Sequence, residues 1–376
     1  MRHHDTVFQQ LTKWIDWAAF DGLVSRHGGD YRVRRLRCRD QFLAMLYAQL
    51  SGARSLREVE AGMASQRARL HHAGARPVAR ASLSDANATR PAAIYEALFA
   101  AMAGRAGRGL RRHLAPCLRI LDATRIALSP GSLGWAHGPQ GKASAKLHLV
   151  YDPMAAVPLA ARITGPRVND ITPARAAEIT PGATYVFDLG YYSFEWWAAL
   201  DAAGCRFVTR LKTHTRLSDP KARAVPEGGA ILADRTGRLP PAHGLQTPLR
   251  EITLTIATGK VLRLVTNDLD SSAEDIADLY KTRWQIELAF KWIKQNLRIR
   301  RFLGSSENAV RIQIFTALIA WLILRLAHDA QTAVARPSAF AALVSLNLLH
   351  RRPVSALTHP PPPPTNDPRQ AQLAWL

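Results

Sequence analysis

The run TYVFDLG, residues 184–190, is apolar on both of the faces that a strand presents and is cut off by Asp188 and Gly190. A strand without hydrophobic and polar alternation has to be covered above and below, as a central parallel strand of an α/β sheet is. The neighbouring segments fit that frame. Leu118 opens three strand-like runs, LRILDATRIAL, AKLHLVYD and VPLAARIT, with Leu147, Leu149 and Tyr151 of the second on one face. Three strands in succession read as a meander. DITPARAAEITP, residues 170–181, then predicts a helix with Thr172 as N-cap and Pro173 at its first position. A second helix is expected from about Ser193 to Ala203, followed by the strand CRFVTRLK.

Residues 213–265 differ in texture, with polar Pro- and Gly-containing stretches that end in REITLTIAT and KVLRLVT around Thr258 and Gly259. This predicts a β-rich insertion with a hairpin. A long helix is expected from Ser271 to about Ile299, opened by a capping box of Ser271 and Glu274. Residues 1–115 read as a helical N-terminal module, where SGARS separates the runs QFLAMLYAQL and LREVEAGM. That pair is either a DNA-binding helix-turn-helix, pointing Arg54, Arg57 and Glu58 at a groove, or an ordinary helical hairpin, which is the commoner arrangement. Residues 306–376 read as a helical C-terminal region ending in a Pro-rich tail, PPPPP at 360–364, expected to be extended and disordered. The order of elements from 116 to 305 resembles an RNase H-like α/β domain carrying the 213–265 insertion.

Charge narrows the partners. Lys and Arg number 50 against 29 Asp and Glu, a net charge of +21, and a field of that sign attracts polyanions. Nucleic acid is the first candidate and an anionic membrane surface the second. The longest apolar run, Ile314–Leu324, is too short to span a bilayer and stops at Arg325, so it reads as a buried helix and no membrane partner is expected. The first residues, MRHHDTVFQQLTKW, have no apolar stretch after their basic ones, and a cytoplasmic, nucleoid-associated protein is expected. Cys38, Cys117 and Cys205 are far apart, which argues against a disulfide framework or a structural zinc site.

On the expected long helix, Tyr280, Arg283, Glu287, Lys291 and Lys294 are spaced three, four, four and three. At 3.6 residues per turn they fall within an arc of roughly 80°, beside an apolar stripe of Leu279, Ile286, Phe290, Ile293 and Leu297. One acid among four donors suits a solvated face held by i to i+4 salt bridges, each worth a few tenths of a kcal/mol. Tyr280 on the same face, with Arg298, Arg300 and Arg301 just beyond, points instead to a phosphate track flanking a metal-binding acid.

Cleaving a phosphodiester takes an in-line nucleophile and stabilisation of both attacking and leaving oxygens, which a pair of hard cations held by carboxylates can supply. Asp122 follows an apolar segment within its strand, where an unpaired charge is costly, and Asp188 ends the central strand. Taken alone, either is more often a turn or cap residue. Asp152, Asp170, Asp268 and Asp270 are explained by local turns and caps, and His148 as a packed or surface residue, while Lys142 and Lys146 are candidate DNA contacts.

YKTRWQIELAFKWIK matches a Y-x2-R-x3-E-x6-K pattern at every spacing and so resembles the insertion-sequence-four transposases, as do LDATRI, FDLGYYS and TNDL. The resemblance implies a DDE transposase: Asp122, Asp188 and Glu287 as catalytic metal ligands, Asp122 bridging two Mg²⁺ or Mn²⁺ ions. It implies phosphate contacts from Tyr280, Arg283 and Lys294 near the transposon end; Lys291, Arg298, Arg300 and Arg301 join them as DNA-binding candidates from their position. Such an enzyme cleaves terminal inverted repeats and joins them to target DNA as a dimer. Alternatives are a catalytically silent DNA-binding relative and an RNase H-like nuclease that does not join strands. Glu287 comes 99 positions after Asp188, room for the insertion, but relatives stack a tryptophan there on a flipped base and this chain has none between Trp197 and Trp284.

Overall fold

The computed structural model describes residues 5–110, 117–225, 227–240, 244–245, 247–296 and 302–358. Leu297, Arg298, Arg300, Arg301 and the proline run lie outside the described residues. The N-terminal part is helical: α1 (Val7–Thr12), α2 (Trp17–Arg26), α3 (Cys38–Ser51), α4 (Leu56–Ser65), α5 (Arg67–Leu70), α6 (Arg80–Thr89) and α7 (Ala93–Leu110). The meander follows as β1 (Leu118–Ala127), β2 (Ser144–Asp152) and β3 (Val157–Thr164), then α8 (Ile171–Arg175), β4 (Thr184–Val186), α9 (Phe194–Ala202) and β5 (Arg206–Arg210). The insertion contributes β6 (Ser218–Ala222), β7 (Ile231–Arg238), β8 (Leu249–Thr255) and β9 (Val261–Thr266). The last described helices are α10 (Ala273–Lys281), α11 (Trp284–Asn296), α12 (Glu307–Asp329) and α13 (Pro337–Asn347).

The architecture is mixed α/β, and the nine strands among the described residues form one sheet in the order β3-β2-β1-β4-β5-β9-β8-β7-β6. β4 lies parallel to both β1 and β5, as an apolar strand buried on both faces should. The other pairings are antiparallel. The insertion is therefore no separate body: β9 pairs with β5 and extends the sheet. Gly259, with φ +77, makes the turn between β8 and β9.

The two sheet faces have different cores. Ile120 and Val186 face α11 and α12 with Ile286, Phe290 and Ile293, and the same core continues into α3 and α7. Leu121, Tyr185 and Phe187 face the opposite way, onto Ala174 of α8 and Trp196 and Trp197 of α9. The apolar run 314–324 sits in α12, which is longer than the run itself because Ser306 caps it. At 23 residues and mean hydropathy 1.8 this helix is long and apolar enough to cross a bilayer, yet 83% of its apolar window is buried inside the fold.

Three local expectations are corrected. The predicted helix over 170–181 is only the five residues of α8, with Asp170 rather than Thr172 at the N-cap. Of its residues Ala174 alone is buried, too little apolar stripe to sustain more than a turn. The cap of α10 is one residue later than expected, Ser272 accepting from the Asp275 amide. The long helix is broken at Thr282 and Arg283. The Thr282 hydroxyl donates to the Leu279 carbonyl at 2.6 Å, and amides 282, 283, 285 and 286 bond three residues back, a local 3₁₀ tightening. Tyr280 and Glu287 accordingly belong to different helices rather than to one continuous face.

Candidate active site

Register brings the two aspartates together. Ile120 of β1 stands opposite Val186 of β4. Two residues on, Asp122 and Asp188 follow the same period of two, toward the face covered by α11. Asp188 is in extended conformation and starts a short 3₁₀ turn, its Oδ1 accepting the Gly190 amide at 2.8 Å. The Thr209 hydroxyl of β5 donates to the Asp188 carbonyl at 3.4 Å, tying the turn to the next strand.

Asp122 Oδ1 accepts the Ala123 amide at 2.7 Å, and its Oδ2 lies 3.8 Å from Arg283 Nη1. The same guanidinium holds Glu287, Nη2 to Oε1 at 2.6 Å. Arg283 therefore stands between the acid of β1 and the acid of α11. Burial pushes the Asp122 carboxyl up to about 6, and the charges of Asp188 and Glu287 push the same way, while the Ala123 amide and Arg283 oppose it. The Asp122 carboxyl thus feels both of the other acids. Among the described residues, no group of three His, Cys, Asp or Glu side chains is gathered tightly enough to hold one metal ion as it stands.

The cations and Tyr280 distribute around this centre. The Tyr280 ring centroid is 6.0 Å from the Arg283 guanidinium carbon. Burial raises its hydroxyl pKa; the cations Arg283 and Arg210 pull it down, and the charge of Asp188 pushes it up. Lys294 donates from Nζ to the Thr124 hydroxyl, two residues beyond Asp122 on the same face of β1. Lys291 is exposed. Arg210 and Tyr191 went unnoticed in the sequence. Tyr191 is buried, and its hydroxyl is held well above the ordinary phenol range by burial and by Asp122, Asp170 and Asp188. Its position, three residues after Asp188, was the available signal.

Most of the other candidates are held in local structure. Lys146 donates to Asp170 Oδ1 and the Val168 carbonyl, both at 2.8 Å, so it faces inward; Asp170 holds the N-cap position of α8, but its side chain makes no cap bond and pairs with β2 instead. Lys142 is exposed. His148 is buried with Nε2 2.8 Å from the Thr164 hydroxyl. Asp152 and Asp268 accept amides of their own turns, as expected. Phe207, the sole aromatic between Trp197 and Tyr280, is fully buried, so the insertion offers no aromatic face for stacking.

A family model described as a transposase DDE domain matches residues 113–323, more than half the chain and all of the acids above. The chain belongs to the DDE transposase family. It is a DNA transposase, an enzyme of DNA cleavage and strand transfer. A second model, a domain of unknown function, matches residues 3–76 of the transposase. A putative transposase, y4zB, of Sinorhizobium fredii is 40% identical over 307 residues, covering 78% of this chain and 86% of that one. A probable transposase for insertion sequence element IS5377 of Geobacillus stearothermophilus is 30% identical over 250 residues, 64% of each chain. The piggyBac transposase synaptic complex with hairpin DNA is a loose structural likeness, with TM-score 0.48 and 10% identity over 98% of this chain and 83% of that one.

Proposed function

We propose that Asp122, Asp188 and Glu287 are the metal-binding acids of this transposase, that they serve two Mg²⁺ or Mn²⁺ ions, and that the sheet from β1 to β5 with α11 is an RNase H-like catalytic core. The supporting observation is the electrostatic state of Asp122, a half-buried carboxylate between the guanidinium of Arg283 and the β1 backbone, whose pKa is pushed up to about 6 with two further carboxylates in reach. Hard oxygen donors with excess negative charge are what such cations select. Because the three acids do not form one tight cluster, the arrangement suits pairwise sharing, with Asp122 common to both pairs. Divalent ions bound there would activate water and stabilise the leaving 3′-oxygen.

The rest is the work of the chain itself. Glu287 has to leave Arg283 to become a ligand, which frees the guanidinium for a phosphate oxygen. Tyr280, Lys291 and Lys294 line the approach, and Arg298, Arg300 and Arg301 continue it in sequence. Thr209 and the Gly190 amide hold Asp188 at the sheet tip. In this reading residues 116–305 carry the chemistry and 1–115 serve DNA binding, and the enzyme acts as a dimer on paired terminal inverted repeats before joining them to target DNA.

The test is cleavage and joining on DNA bearing the element's own ends with Mg²⁺ or Mn²⁺. Asp188→Asn and Glu287→Ala are expected to lose cleavage by at least about a thousandfold, in keeping with the charge stabilisation removed, while binding to the same DNA persists. Wild-type cutting by either variant would show the assignment to be wrong.

A further inference from the structure

The loop from α2 into α3 carries Arg32, Arg34, Arg35, Arg37 and Arg39 within nine residues of sequence that contain no acid. All five are exposed, and none has a carboxylate partner among the described residues. The acids that flank them are already committed. Asp30 accepts the Cys38 amide at 2.7 Å, and Asp40 is gripped by Arg76, Nη2 to Oδ2 at 2.6 Å and Nε to Oδ1 at 2.9 Å. Arg76 also donates to the Arg35 carbonyl, so the loop's backbone is pinned while its guanidiniums stay outside. Arg39 lies 4.2 Å over the Trp17 ring and Arg32 5.0 Å over the Tyr31 ring, itself 72% exposed. Arg32 has φ +57, a left-handed conformation that a non-glycine residue adopts at a cost.

The helix-turn-helix candidate compares poorly. α3 is buried along most of its length, and Glu58 is spent as a cap, accepting the Arg54 amide at 2.7 Å. α4 carries one cation, the exposed Arg57, against the exposed Glu58 and a half-buried Glu60 that accepts the Arg80 amide at 3.0 Å, a net negative helix toward a polyanion.

From this contrast we infer that the Tyr31–Arg39 loop is a binding site for the phosphate backbone of duplex DNA, and that α4 is not a recognition helix. Guanidiniums without acid partners, fixed on a pinned backbone, present forked donors to phosphate oxygens at little ordering cost. The assignment lies inside the stretch, residues 3–76, that the domain of unknown function matches. It rests on DNA being the partner, but not on which acids do the chemistry.

The experiment measures binding of the full chain to two duplexes, one bearing the element's ends and one of random sequence, in EDTA over a salt series. In EDTA no cleavage occurs, so failure of the acid assignment leaves this result readable. The triple variant Arg34→Gln, Arg35→Gln, Arg37→Gln is expected to bind both duplexes roughly tenfold or more weaker at moderate salt. Its salt slope should fall by on the order of 0.9 for each phosphate that the variant no longer neutralises. The matched Lys variant should keep most of the slope, which separates charge loss from misfolding. Unchanged affinity and slope overturn the proposal. So does a loss confined to the end-bearing duplex, which means base reading, or a larger loss from Arg57→Gln than from the triple variant.

Discussion

Asp122→Asn should stabilise the metal-free protein while destroying its activity. Burial, joined by Asp188 and Glu287, moves the Asp122 carboxyl from 3.8 to about 6. Its side chain is only 19% exposed, so solvent screens little of this. One pKa unit is about 1.4 kcal/mol, which puts the cost of ionising Asp122 in the folded state at roughly 3 kcal/mol. Because the folded value lies above the ordinary one, this site's contribution to stability is complete below about pH 3.8 and is lost as pH rises through about 6. Asparagine keeps the shape and an oxygen for the Ala123 amide but never ionises. At pH 7.5 in EDTA the variant is expected to melt roughly 4 °C above wild type, a difference that shrinks toward zero as the buffer is taken down to about pH 4. Adding Mg²⁺ should raise wild type and leave the variant unmoved, since only a competent site couples ion binding to folding. A variant less stable than wild type at pH 7.5 without metal, or an advantage independent of pH, would refute the reasoning.

Two further outcomes follow from packing. A methyl group on Gly190 would lie 3.0 Å from Asp188 Oδ1 and 3.4 Å from Asp170 Oδ2, so Gly190→Ala should displace Asp188 and lower cleavage by about tenfold or more; normal cleavage by a folded variant would mean the turn tolerates the shift. Arg250 and Asp234 form a pair with side chains 2% and 3% exposed, bidentate at 2.9 and 2.7 Å. Arg250→Ala should cost on the order of 3 kcal/mol in denaturant unfolding by stranding Asp234, and a loss under about 1 kcal/mol would show that Arg223, 3.6 Å away, compensates.

Much of the catalytic half was legible because its signals are local. An apolar strand stopped by Asp188, an acid following an apolar run at Asp122, and strict motif spacing around Glu287 each survive without knowledge of the partners. The break at Thr282 was not legible, since a hydroxyl that turns back on its own helix looks in sequence like any polar surface residue. Nor was the inward turn of Lys146, whose partner Asp170 comes 24 residues later in the chain, after β3. The joining of the insertion to the core escaped notice for a different reason: pairing of β9 with β5 spans some fifty residues, and no periodicity reports which edge a strand will choose. Arg210 and Tyr191 became visible only once the sheet tip was assembled.

Thr6 bridges to Arg351, the Val7 amide bonds the His350 carbonyl, and α12 fills the space between α3, α7 and β3. Helices α3 and α7 therefore cannot complete their interior until α12, some two hundred residues after α7, has been translated. A nascent chain shows its arginine-rich loop to the surroundings while α3 and α7 still lack their partner. Fragments that stop before α12 should consequently need a chaperone to stay in solution, and the N-terminal helices are poorly suited to being transplanted as a free-standing unit.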